Sequence, residues 1–216
     1  QVLQTYVDFP LPPARKSARP REEDHLGAHL QDQHTGQQRY FYGIFVENGR
    51  ILDRPGLTLR SALREIVRRF RLGVHLTPMQ SVLFTHLPAQ ALPEIENILG
   101  QHGVPRAEEL SQLRRYSLAC PALPTCSLAL TEAERALPAA IDDLEEEFTR
   151  LGIDEVPLTV RMTGCPNGCA RPYNADLSFV GRAPGKYNVY LGAAFNGSRM
   201  NALFRASVAD TEISSL

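Results

Sequence analysis

The chain's four cysteines fall into two pairs, Cys120 with Cys126 and Cys165 with Cys169, and no thiol is left over. A Cys-x5-Cys pair with a Cys-x3-Cys pair is the inventory of a four-thiolate site, for an iron-sulfur cluster or a zinc ion. Thiolate sulfur is soft and suits iron, and a cubane has four separate corners, so its ligands can come from unevenly spaced positions. Zinc usually takes knuckles of the Cys-x2-Cys kind, which neither pair provides. Gly164 and Gly168 leave the backbone bare beside the second pair, where a bulky cofactor can approach, and Pro166 stiffens the turn.

The strings Cys120-Pro121-Ala122-Leu123-Pro124-Thr125-Cys126 and Cys165-Pro166-Asn167-Gly168-Cys169 resemble the cluster-binding signature of the sulfite and nitrite reductase hemoprotein family. Phe45-Val46-Glu47-Asn48-Gly49-Arg50, Ser117-Leu118-Ala119, Thr131-Glu132-Ala133-Glu134-Arg135 and Gly181-Arg182-Ala183-Pro184-Gly185-Lys186 resemble it too, in the expected order, so the likeness runs from about Asp24 to the last residue. It implies that Cys120, Cys126, Cys165 and Cys169 hold a 4Fe-4S cluster and that the sulfur of Cys169 is also the axial ligand of a siroheme iron. It places Asn167 against the siroheme. Pro124-Thr125-Cys126 and Asn167-Gly168-Cys169-Ala170 look like the sulfite type rather than the nitrite type.

The resemblance further implies a six-electron reduction of sulfite to sulfide in sulfur assimilation, with a ferredoxin or a flavoprotein as donor. The family's substrate-binding arginines and lysines belong to an amino-terminal half that no segment here resembles. The expectation is therefore a carboxy-terminal fragment that holds no catalytic residue of its own, binds siroheme weakly or not at all, and lacks turnover alone. Nitrite reduction, a plain iron-sulfur electron-transfer module and a zinc-stabilised structural domain are the other readings the residues leave open.

With 216 residues, of which 43% are hydrophobic, the chain can bury one large or two modest cores. A net charge of -1 gives no electrostatic reason to expect nucleic acid or an anionic membrane as partner. No apolar run reaches the length of a membrane span and no signal pattern opens the chain, so the expectation is a soluble cytoplasmic protein. Four cysteines are too few for a disulfide scaffold, which favours a reducing compartment. The six histidines form no compact ligand pattern, and His75 and His86 read as packed strand residues. No nucleophile elbow, Walker loop or dinucleotide fingerprint is present.

The elements that must position the thiols read as an α+β chain in two parts. Residues 1–38, rich in proline and arginine, read as an extended linker or strap. Residues 39–104 read as a ferredoxin-like half-domain in the order strand, helix, strand, strand, helix. A strand at Tyr40 to Glu47 closes on the Asn48-Gly49 turn, Thr58 caps a helix with an apolar stripe from Leu59 to Phe70, and two strands precede a helix from Ala91 to His102. The arginines of the first helix read as a solvated face or as a surface for an acidic donor. The turn Thr77-Pro78-Met79-Gln80-Ser81 resembles the family's turn near the cofactor, with Met79 and Ser81 where asparagine is usual.

Residues 105–216 read as an α/β iron-sulfur and siroheme domain, truncated at its end, with a central sheet, flanking helices and both cysteine loops at one edge. A helix is expected over Ala107 to Tyr116. Thr131-x-x-Glu134 has the form of a capping box, although Pro138 predicts a kink or a later helix start. Strands are expected at Val156 to Met162, Ala175 to Val180 and Asn188 to Leu191. Arg182 and Lys186, in the turn between the last two, are candidates for tetrapyrrole carboxylates or for solvated turn charges.

Overall fold

The structure is a computed structural model that describes residues 24–31 and 38–215. Two apolar clusters organise it, one drawn from residues 42–104 and the other from residues 113–213.

The first unit is a four-stranded antiparallel sheet covered by two helices. Its strands are β1 (Gly27–Gln31), β2 (Arg39–Ile44), β5 (Gly73–Leu76) and β6 (Val82–Leu87), in the spatial order β1-β2-β6-β5. Helix α1 (Leu59–Phe70) buries Leu59, Ala62, Leu63 and Ile66 and leaves its arginines outward. Burying that stripe stabilises the unit by about 1.5–3 kcal/mol for each large aliphatic side chain. Helix α2 (Leu92–Gln101) adds Ile95, Ile98 and Leu99 to the same core. A two-residue ladder, β3 (Asp53–Arg54) with β4 (Leu57–Thr58), leads into α1. Thr58 precedes α1 but donates no cap; its Oγ1 lies 2.6 Å from His102 Nδ1, tying the start of one helix to the end of the other.

Most of the expected strap lies outside the described residues. Within them, Gly27–Gln31 is a paired edge strand rather than a linker, in register with Gly43 to Arg39. The crossing of residues 24–26 over β2 requires Gly43, because a Cβ there would stand 1.8 Å from the His25 carbonyl oxygen. His75 and His86 are both exposed rather than packed, since they sit on or beside the sheet edge made by β5.

The second unit is a five-stranded mixed sheet in the order β11-β10-β9-β8-β7. Strands β7 (Ser117–Ala119), β8 (Val160–Thr163) and β9 (Leu177–Ala183) run parallel, and β10 (Lys186–Leu191) and β11 (Ala202–Ala209) continue antiparallel. Helix α4 (Leu137–Leu151) covers one face with Leu137, Ala140 and Ile141. Pro138 sits in its first turn, where the missing amide is no loss, so the helix starts late and does not kink. The expected helix over Ala107 to Tyr116 is instead a 3-10 turn at Ala107–Glu109 and one turn of helix, α3 (Gln112–Arg115), capped by Ser111. Arg182 and Lys186 are exposed. Among the described residues no helix is long and apolar enough to cross a membrane.

Ion pairs lock the start of the second unit to the first. Arg115 grips Asp24 through Nε and Nη2 at 2.5 and 3.0 Å. Burial works to raise the Asp24 pKa, but hydrogen bonds from Arg115 and the Leu26 amide outweigh it and hold the carboxyl below its ordinary 3.8. A carboxyl depressed in the folded state contributes stability above its unfolded pKa and loses it as pH falls through the folded value. Acid titration of stability is therefore expected to fall more steeply in the wild type than in Asp24→Asn below pH 3.8. Equal slopes in chemical denaturation across that range would contradict the assignment.

Candidate functional site

Parallel pairing sets the position of the thiols. β7 and β8 are neighbours running the same way, so Cys120 and Cys165, each one or two residues past its strand, emerge from the same end of the sheet. The Cys120 amide extends the ladder to the Met162 carbonyl at 3.2 Å. The Gly164 amide donates to Cys120 Sγ at 3.3 Å. Leu130 and Thr131 amides both donate to the Gly164 carbonyl, at 2.8 and 3.2 Å, which stitches the end of the first cysteine loop to the start of the second.

Gly164 is the point where the two loops touch. A Cβ there would fall 2.6 Å from both Ala122 Cβ and the Thr131 carbonyl oxygen. Behind it stands Gly181, whose own Cβ would meet the Gly164 oxygen at 2.4 Å. The capping-box pattern at Thr131 and Glu134 serves this seam rather than a helix. Thr131 Oγ1 accepts from the Gly185 amide at 3.1 Å, and Glu134 sends its amide to the Cys120 carbonyl and its carboxylate to Arg50.

All four thiols are free. Cys120 and Cys165 are buried, Cys126 is half-buried, and Cys169 is exposed together with Asn167. Burial pushes the Cys120 thiol up, amide hydrogen bonds from Gly164 and Ala122 oppose that, and charge on Cys169 and Cys165 would raise it further. Cys165 and Cys169 thus both lie within electrostatic reach of Cys120. Cys126 sits on the outer limb of its loop, its amide on the Ala122 carbonyl at 2.7 Å. Among the described residues, no three His, Cys, Asp or Glu side chains converge on the single point that one zinc ion requires.

Four free thiols on two adjoining loops are a donor set that an inorganic cube could use. Burial first, and then charge on Cys169 and Cys165, raise the Cys120 pKa, and a cube takes one thiolate at each corner. Thr163, fully buried just before the second loop, keeps an Oγ1 with no partner among the described residues, a polar atom left for something beyond them. A cavity of about 470 Å3 between the units, lined by Arg50, Arg114, Glu134 and Pro138, includes no cysteine, and its guanidiniums are already ion-paired.

The first unit presses two turns onto this end of the sheet. Asn48 Nδ2 donates to the Glu134 carbonyl at 2.9 Å. Gln80 Nε2 donates to the Ala119 carbonyl at 2.7 Å, next to Cys120. Arg171, two residues past Cys169, donates to the Pro78 carbonyl at 2.7 Å and touches Met79 Sδ at 3.6 Å. Ser81 bonds His25 and Thr77 instead of reaching across.

Sequence reasoning passed over Arg161. It lies on β8 with only 7% of its surface exposed, and its Nη1 donates to the Ala170 and Arg171 carbonyls at 3.5 and 3.2 Å. Burial first, then repulsion from Arg171, push its pKa down to about 10 against a weak pull from Asp176. The signal was a lone cation between Val160 and Met162 on a short strand.

Residues 31–102 match the family described as the nitrite/sulfite reductase ferredoxin-like half domain. The chain is 41% identical over 178 residues to the sulfite reductase [NADPH] hemoprotein beta-component of Staphylococcus carnosus (strain TM300), which covers 82% of this chain and 31% of that protein. Against the protein of the same name from Geobacillus kaustophilus (strain HTA426) it is 42% identical over 196 residues, 91% of this chain and 34% of that one. The solved structure of the Mycobacterium tuberculosis NirA protein superposes with a TM-score of 0.71 at 23% identity, over 99% of this chain and 40% of that chain, a likeness of fold. This chain belongs to the sulfite and nitrite reductase family. It spans about a third of the length of the curated relatives it matches.

Proposed function

We propose that this chain is the cluster-bearing part of a sulfite reductase hemoprotein, with the unit from β1 to residue 104 as its half-domain and residues 105–216 as its cluster domain. Cys120, Cys126, Cys165 and Cys169 would hold a 4Fe-4S cluster in this reading, and Cys169 and Asn167 would also serve the siroheme. The observation that carries it is the seam at Gly164, which joins two loops bearing four free thiols where no side chain intervenes. Exposure of Cys169 and Asn167 supports their assignment, because a thiolate shared with a second cofactor has to face outward from the first.

When bound, the two groups supply single-electron transfer to sulfur for the overall change HSO3⁻ + 6 e⁻ + 6 H⁺ → HS⁻ + 3 H2O. The chain's own residues hold the thiolates, donate an amide to Cys120 Sγ and exclude water from the buried pair. The names of the relatives favour a partner component fed by NADPH over ferredoxin. They favour sulfite over nitrite as substrate in the same way.

Metal and sulfide analysis of the chain purified without oxygen tests this. About four irons and as many acid-labile sulfides per chain are expected. Zinc without sulfide would refute the cluster, and a complete protein that turns over nitrite far faster than sulfite would refute the substrate.

A further inference from the structure

We propose that the cavity between the turn at residues 77–81 and strand β8 is a binding site for a small oxyanion, of the phosphate, sulfate or sulfite kind, with Arg161 as its principal donor. The cavity holds about 200 Å3 and is lined by Arg161, Thr159, Ser81, Met79 and His25 among others. None of the four cysteines lines it, so it is separate from the thiol site.

A guanidinium withdrawn from water is costly unless a counter-charge or full hydrogen bonding replaces the solvent. Arg161 has neither. Its Nε carries no partner among the described residues, and it forms no ion pair with any described carboxylate. Arg171 stands close enough to repel it, is itself exposed, and also lacks a described carboxylate partner. Neither nearby carboxylate touches Arg161. Asp176 Oδ2 takes the Thr159 amide and hydroxyl at 3.0 and 2.6 Å, and Asp24 is held by Arg115. His25, whose pKa burial lowers, shares a short hydrogen bond with Ser81 and adds no negative charge. The wall therefore carries a guanidinium that Arg171 repels and Asp176 attracts, a net positive charge beside the cavity, and a guanidinium grips oxyanions in bidentate fashion.

The competing explanation makes Arg161 a brace that only supports the carbonyls of Ala170 and Arg171. A brace has no anion dependence. The test uses the 216-residue chain without iron, so it can fail while the cluster assignment stands, and the reverse. Thermal unfolding and phosphorus-31 line widths are followed as potassium phosphate is added, against potassium chloride at equal ionic strength. Phosphate is expected to raise the unfolding temperature and broaden its own resonance where chloride does neither. Sulfate and sulfite are expected to displace it at comparable concentrations. Arg161→Met should abolish the response. Arg171→Gln, on the exposed side, should weaken phosphate binding by about tenfold. A phosphate effect no larger than that of chloride overturns the proposal. So does unchanged affinity in Arg171→Gln, which decides the matter if Arg161→Met fails to fold.

Discussion

Replacing Cys120 with serine is expected to abolish the cluster, taking iron and acid-labile sulfide from about four each per chain to near zero. Cys120 is the most deeply committed of the four thiols. It is buried, it accepts an amide hydrogen bond at its sulfur, and its backbone bonds both the β8 strand and Glu134. Serine keeps the size and the backbone bonds but offers a hard oxygen whose proton is far less acidic than a thiol's, so it cannot stand in for the soft ligand. The fold should survive, because no disulfide is lost and the substitution is nearly isosteric. Circular dichroism on the metal-free variant checks this. Retention of a full complement of iron and sulfide in Cys120→Ser would mean that this residue is not a ligand.

Gly164→Ala is expected to destabilise the metal-free chain by about 1–3 kcal/mol, the scale of an overpacked interior site. The added methyl has nowhere to go. It would meet the Thr131 carbonyl oxygen and Ala122 Cβ at 2.6 Å, and Gly181 closes the opposite side. Relief requires the two cysteine loops to part, so the same variant should also lose cluster loading. Gly168→Ala is the control. Its φ of +69° carries strain of about 1 kcal/mol, but a Cβ there finds its nearest neighbours at 3.4 Å. Urea denaturation separates the two, and equal midpoints for both variants would show that the seam tolerates expansion.

The particular residues show where sequence suffices. Helix α1 was legible because Leu59, Ala62, Leu63 and Ile66 recur at the helical period, and the Asn48-Gly49 turn because both residues accept positive φ. Thr131 and Glu134 misled because a capping box is a local pattern whose partners were claimed by distant groups, Gly185 and Arg50. Strand β11 escaped notice, since its pattern is almost wholly exposed and carries no alternation of burial. Ala107 to Tyr116 read as one helix, yet Leu110 and Ser111 are extended and break it into two turns.

By itself, the sequence determined the thiol inventory, the two-part α+β plan and the family, because ligand chemistry and hydrophobic period are properties of residue type and spacing. Only the tertiary structure decided that the two cysteine loops meet at Gly164, that Cys169 faces outward while Cys120 and Cys165 are buried, and that Arg161 is shut in with no described carboxylate in contact. Each of those depends on which strands lie side by side and which turns press on them. Pairing of β7 with β8, across more than forty residues of chain, is settled by the packing of the whole sheet and not by any local stretch.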